Sequence, residues 1–524
     1  MKTIKNQKSK IKNCIALLAL LTVLGCSDWL DGALPKDRNL AEKQFETERG
    51  IHAALNGLYS ALTSTNLYGG RLTMTDIELL AHHYYYFDNL EAPGMSGFRH
   101  FLDMSSYNWE EDGVISAFTG IWNAAYKTIF EINTFISYLS ESDVISNEKK
   151  YLFLGEAYGL RAFLHFDLFR LFAYESDGVE VQSIPYNNTS DVVPHIRLPH
   201  DVFYRLLLDD IDLALTFLTN DPIRSQSRIL DLRDAEEVHV SSEEIFERFL
   251  RNYRMNYYAV KTLHARILMY KGEVQEAANL ARDILNESFR SFNGAPFSFA
   301  NRNTVMQSND RNHIFYEEVI FGINNPDIYT RWRTYTQGTT VGGTYSVDFT
   351  SLSGNIFKND QSQNDISLWE DIRAAQWVQS AITNLVGPTQ FISSKYERFT
   401  YTDNNPKQYF QPLMRTAELF YIITEDLIVN GHISSAVEFL NAFRAMRGSQ
   451  IESLPNPEDV TDPDFVFDIL ETEYYKEFYA EGQAYFYLKR RKATEVFDVT
   501  GPGKVPLPDR AFLVPIPQNE KEYN

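Results

Sequence analysis

From Phe45 the chain reads FETERGIHAALNGLYSALTS, in which Ile51, Ala54, Leu55, Leu58 and Leu62 recur at the spacing of one helical face. Thr47 stands where an N-cap belongs, so a helix is predicted to begin beside it. Trp122, Ala125, Ile129, Ile132 and Ile136 repeat the pattern between Ile121 and Leu139, and a longer helix is expected from Tyr151 to about Phe172. Two amphipathic helices with a short polar connector make a hairpin. The same unit returns around two turn glycines. Ala265 and Leu268 precede Gly272, with Ala277, Ala281 and Ile284 after it; Thr424 and Leu427 precede Gly431, with Ala436, Leu440 and Phe443 at matching offsets. Small residues at the crossings let paired helices approach, as in tetratricopeptide units of about 34 residues. The pattern predicts a mainly α fold built of about four tetratricopeptide-like hairpins.

Gly272 and Gly431 lie 159 residues apart, which is not a whole number of such repeats, so the array is interrupted. From about Asn286 to Gln411 the helical period fades into Gly, Ser, Asn, Thr and aromatic residues with scattered β-type runs. A long irregular excursion within a helical frame is usually functional or disordered. Its many Trp, Tyr and Phe argue that it folds. The chain is therefore expected to hold a leader over residues 1–25 and one domain over 26–524, with a helical frame at about 40–285 and 411–495 and a loop-rich excursion, containing little β, at about 286–410.

The leader follows from charge and hydropathy. Lys2, Lys5, Lys8, Lys10 and Lys12 come before any acid, and an apolar run from Ile15 to Leu24 leads to Gly25 and Cys26. A membrane-spanning helix needs roughly 20 apolar residues, about twice this run. Leu24-Gly25-Cys26 resembles a lipobox, which predicts cleavage before Cys26 and lipid on its sulfur. Cys14 and Cys26 are the only cysteines, so the mature chain is expected to form no internal disulfide and to depend on a large core. The formal charge of −21 becomes −26 when the five leader lysines go. That field excludes nucleic acid as a partner, because binding it needs a basic footprint.

Six blocks, in order, carry a family resemblance. CSDWLDGALP with FETERGIHAALNGLYSAL, then EAYGLRAFLHFDLFRLFA, LPHDVFYRLLLDDIDLALTFL, RTAELFYIITEDL with LNAFRAMRG, EYYKEFYAEGQAYFYLKRR, and FLVPIPQNEKEYN resemble the SusD/RagB family of outer-membrane nutrient-uptake lipoproteins. The resemblance implies a SusD-like fold and a glycan-binding subunit seated over a SusC-like, TonB-dependent barrel. One departure stands out: the family usually has Arg-Trp-Asp after the Glu-Gly pair, where this chain has Gln483-Ala484-Tyr485-Phe486-Tyr487. The excursion matches nothing closely, so the resemblance carries the fold and leaves the ligand open.

Catalytic signals are thin. Asp209-Asp210 reads as the solvated face of a helix, and Glu110-Glu111-Asp112, Glu317-Glu318 and Glu370-Asp371 are unremarkable in a chain with 70 acidic residues. His82-His83 lacks metal-site spacing. No enzyme and no cofactor are expected, with a structural calcium ion left open. Aromatic content of 14% suits helix packing and sugar stacking alike; on a sugar face one ring contributes about 1.5 kcal/mol, so an arc of several is needed. Two segments offer rings beside polar partners. HHYYYFDN, expected to be a loop, supplies Tyr84, Tyr86, Asp88 and Asn89; DIYTRWRTYTQ, expected to be a strand or loop, supplies Tyr329, Arg331, Trp332 and Tyr335. These eight are the predicted ligand-binding residues, and the rings are expected at the surface. Trp122, Tyr126, Asn133, Trp369 and Trp377 are expected to be structural. The leading expectation is capture of an oligo- or polysaccharide; the alternatives are a peptide-capturing subunit, a surface glycosidase and a scaffold for another protein's helix.

Overall fold

The computed structural model describes residues 42–522 apart from 88–98, 176–180, 192–194, 231–241, 290–293, 307–311, 337–343, 358–369, 380–389, 398–405 and 449–454. Cys26 and Trp369 lie outside the described residues. The frame consists of helices α1 (Glu48–Leu62), α2 (Asp112–Glu141), α3 (Asn147–Phe172), α4 (His200–Phe217), α5 (Tyr257–Lys271) and α6 (Val274–Ser288). After α7 (Ile328–Thr336) it resumes with α8 (Ala417–Val429), α9 (Ile433–Met446), α10 (Pro463–Glu477) and α11 (Gln483–Arg491). The pairs α2/α3, α5/α6, α8/α9 and α10/α11 are hairpins, and α4 bridges α3 to α5.

Local chemistry sets the ends of these helices. The Thr47 hydroxyl accepts the N–H of Gly50 at 3.1 Å, so the predicted cap is in place. Gly272 and Gly431 adopt φ of 81° and 77°, the left-handed turn that stops a helix and lets the next begin. From Phe153 to Phe172, α3 is buried on nearly every side, because α2 and α4 cover it. Its charges are accordingly paired. Arg161 grips Asp210 at 2.7 and 2.5 Å, and Glu156 meets Arg251 at 2.5 Å. Asp210 therefore corrects the expectation that Asp209-Asp210 forms a wet face: Asp209 is exposed, but its neighbour is sealed against Arg161.

Helix α6 packs on α8, so the frame closes across the excursion between them. The excursion is pinned at both ends by an antiparallel pair, β2 (Val319–Asn324) with β6 (Phe410–Arg415), buried along almost its whole length. Three of its strands join one from the frame in a four-stranded sheet, in the order β1 (Tyr85–Phe87), β3 (Thr344–Asp348), β5 (Gln390–Ser393), β4 (Trp377–Gln379), antiparallel throughout the described pairs. Trp377 is core, as expected, and lies on a strand. A small hairpin of β7 (Glu495–Phe497) and β8 (Lys504–Pro506) follows α11.

Candidate functional site

Charge sets the base of this region. Arg447 donates to Glu318 at 2.6 Å through both terminal nitrogens and to Glu477 at 2.7 Å, while Arg373 reaches Asp371 at 2.7 Å, Glu473 at 2.8 Å and Glu477 at 2.9 Å. Arg415 joins Glu477 to Glu481, and Lys395 joins Glu481 to the Tyr479 carbonyl. All are buried. With Lys476, the cluster sets five cations against the five carboxylates of Glu318, Asp371, Glu473, Glu477 and Glu481. Burial by itself raises the Glu473 carboxyl, but Arg373, Lys476 and Arg444 more than offset it and bring it to about 2. Removing one partner would strand a buried charge, which costs about 3–5 kcal/mol. The cluster ties the excursion, through Glu318, Asp371, Arg373, Lys395 and Arg415, to α9 and α10 of the frame.

The departure from the family pattern settles within this base. Gln483 accepts from Arg170 at 2.9 Å and donates to the Glu481 carbonyl at 2.9 Å. Tyr487 stacks on Tyr474 at 4.1 Å between ring centroids, and Tyr485 donates to the Ala511 carbonyl at 3.1 Å. Polar contacts and rings thus hold α11 without the usual triplet.

Above the base, the two segments singled out in the sequence meet. IYTRWRTYT forms α7 rather than a strand or loop, and YYF forms β1 rather than a loop. They converge on Tyr345 of β3. Tyr84 lies 4.4 Å from Tyr345 and Tyr335 lies 5.5 Å from it, ring centre to ring centre, with Phe101 of the short helix Arg99–Ser105 at 5.3 Å. Tyr86 pairs with Tyr345 in the ladder between β1 and β3.

The structure corrects two residues outright. Tyr84 and Trp332 are each 0% exposed, so neither can offer a face to a ligand. Tyr84 donates to the Met74 carbonyl and packs edge-on against Tyr479 at 5.5 Å. The Trp332 indole donates to the Ser393 carbonyl at 2.9 Å and meets Tyr396 edge-on at 5.5 Å. Successive helical residues point about 100° apart, so the arginines on either side of Trp332 face elsewhere. Arg331 is a tether: it donates to the carbonyls of Thr63 and, at 3.2 Å, Gly69, and pairs with Asp327 at 3.0 Å. Tyr329 and Tyr335 are half-buried. The Arg333 guanidinium lies 5.5 Å over the Tyr329 ring and donates to its hydroxyl at 3.0 Å. Asp88 and Asn89 lie outside the described residues.

The arrangement is a ring-packed pedestal. Its buried rings hold Tyr335 and the half-exposed His100 at the rim, and rings held in one pose bind without a large ordering cost. Tyr345, Phe101 and His100 escaped the sequence reading. Tyr345 sits in the short alternating run TYSVD, which was the available signal. No group of three or more His, Cys, Asp or Glu with metal-holding geometry occurs among the described residues, and no described helix is long and apolar enough to cross a membrane.

Comparison with known proteins agrees with this architecture. A SusD-like family model, described as starch-binding associating with outer membrane, matches residues 28–228. Over 97% of its length the chain is 24% identical to a SusD-like protein of Formosa agariphila, covering 96% of that protein. A SusD superfamily protein of Bacteroides thetaiotaomicron superposes with a TM-score of 0.67 at 19% identity, over 91% of this chain and 98% of its own. Surface glycan-binding protein A of Bacteroides fluxus superposes with a TM-score of 0.55 at 19% identity, over 91% of this chain and 96% of its own. At these identities the structural likeness is one of fold.

Proposed function

We propose that the chain, similar to SusD-like proteins in sequence and fold, captures an oligo- or polysaccharide at the cell surface without cleaving it. It passes the glycan to a SusC-like, TonB-dependent transporter, while lipid on Cys26 holds it at the outer membrane. The observation that carries this reading is the convergence of two distant ring-rich segments on one sheet, in a fold shared with a surface glycan-binding protein. Sugars present C–H faces that stack on rings and hydroxyl edges that pair with polar side chains. A few such contacts give about micromolar to millimolar affinity, which suits capture followed by release.

The acidic charge fits a neutral glycan better than a polyanion. Native electrophoresis through gels containing starch, laminarin, xylan or galactomannan tests the proposal. Retardation in at least one gel, with no new reducing ends, is the expected result. Release of reducing sugar would make the protein a hydrolase, and unhindered migration through every gel would refute glycan capture.

A further inference from the structure

A second row of rings lies on the flank of α3 and α4, apart from the pedestal. Tyr151 and Tyr158 are seven residues apart on α3, so they share a face two turns apart. Phe217, the last residue of α4, lies between them. Its ring centre is 5.6 Å from that of Tyr151 and 5.8 Å from that of Tyr158, with interplanar angles of 34° and 14°. The row is fixed at its inner end. Arg161 sits 5.0 Å over the Tyr158 ring and is itself locked to the buried Asp210. At its outer end Tyr151 is 48% exposed.

Beside Tyr151 and Phe217 opens a cleft of about 820 Å³ whose walls include Glu148, Lys149, Asn220, Glu244 and Arg248. Its cations are matched: Lys149 pairs with Glu48 at 2.7 Å and Arg248 with Glu244 at 2.6 Å. Glu247, also in the wall, lies 3.5 Å from Lys149 and 3.2 Å from His52. Among its described lining residues the cleft thus has no surplus positive charge for a polyanion. It does offer both donors and acceptors beside flat, pre-positioned rings.

We propose that this row is a second carbohydrate contact, taking a neutral stretch of the same glycan chain whose capture is proposed above, and it rests on that reading. Tyr151, braced from behind by Phe217, covers a pyranose C–H face, and Glu148, Asn220 and Arg248 meet the hydroxyl edges. Two weak contacts on one polymer raise retention without either becoming tight, because binding at the first concentrates the chain near the second. A chain long enough to touch both gains from the pair, so on this proposal the row matters more for polymer than for fragments.

The test takes whichever of starch, laminarin, xylan or galactomannan retards the wild type. Tyr151→Ala is expected to weaken retardation by that polymer about three- to tenfold, the share of one stacked ring. Tyr151→Phe is expected to behave as the wild type. The affinity of a trisaccharide of the same sugar, measured by calorimetry, is expected to be unchanged in both variants. Hydroxyl-radical footprinting of the unmodified protein reads the contact without any substitution, and Tyr151 oxidation is expected to fall when the polymer is bound. Equal retardation of wild type and Tyr151→Ala, or undiminished oxidation of Tyr151, overturns the second contact while leaving glycan capture standing. A wild type retarded by none of the polymers removes the capture reading, and this inference with it.

Discussion

His165 lies within α3, its Nδ1 2.9 Å from the Arg161 carbonyl and its Nε2 accepting the Asn187 N–H at 3.0 Å. One nitrogen must donate and the other accept, which fixes the neutral ring with its proton on Nδ1. Burial first, and the charge of Arg161 second, lower its pKa to about 3. The unfolded chain takes up this proton near pH 6.5, so between there and about pH 3 it binds a proton that the native state does not, and stability falls with pH by about 1.4 kcal/mol per unit. Glu473, held at about 2, adds a loss as pH falls below its ordinary value of 4.5. The melting temperature is expected to drop between pH 7 and 5, and less steeply in His165→Gln; equal slopes would remove His165 as the cause. At this scale the sequence was a poor guide to burial. Tyr84 and Trp332 were expected outside because polar residues flank them, yet on α7 those flanks point away from the face that Trp332 presents to Tyr396 and Ser393. Asp210 misled in the opposite sense, since its distant partners Arg161 and Tyr186 reveal why it is inside.

Elements fared better where their signals are local. Thr47, Gly272 and Gly431 mark ends that a few neighbouring residues decide, and all three could be read directly. The four-stranded sheet could not. Its strands run to only three to five residues and pair across long separations, as Tyr85 does with Ser346, so no periodic pattern has room to develop. Two glycines separate a local turn from a tertiary one. A Cβ on Gly431 would meet nothing within 4 Å, whereas one on Gly482 would come 2.1 Å from the Leu72 carbonyl oxygen. The Gly482 N–H also donates to Glu78 at 2.7 Å. Gly431→Ala is expected to cost about 1 kcal/mol, the left-handed backbone alone. Gly482→Ala is expected to cost more than about 3 kcal/mol, because the loop carrying Glu481 must move. Urea unfolding of both variants checks this, and similar midpoints would show that Gly482 does not brace the base.

For the whole molecule, the mainly helical SusD-like fold was legible from hairpin periodicity and six ordered blocks, while the binding surface was not. Rings that pack and rings that bind share one composition, and only three-dimensional placement parts them. Localisation is tested at the chain's start: Cys26→Ala is expected to shift the protein from the membrane to the soluble fraction, since each buried CH₂ of the acyl chain contributes about 0.8 kcal/mol. Undiminished membrane association would refute the anchor. The antiparallel pair β2 and β6 holds the two mouths of the excursion side by side, with Arg415 at the end of β6 and Glu318 just ahead of β2. Whatever is spliced between them inherits a fixed socket, and doubling such an insert costs only about 0.6 kcal/mol in closure entropy. A few extra residues at an exposed turn of the excursion can therefore lengthen it while its two roots stay where they are.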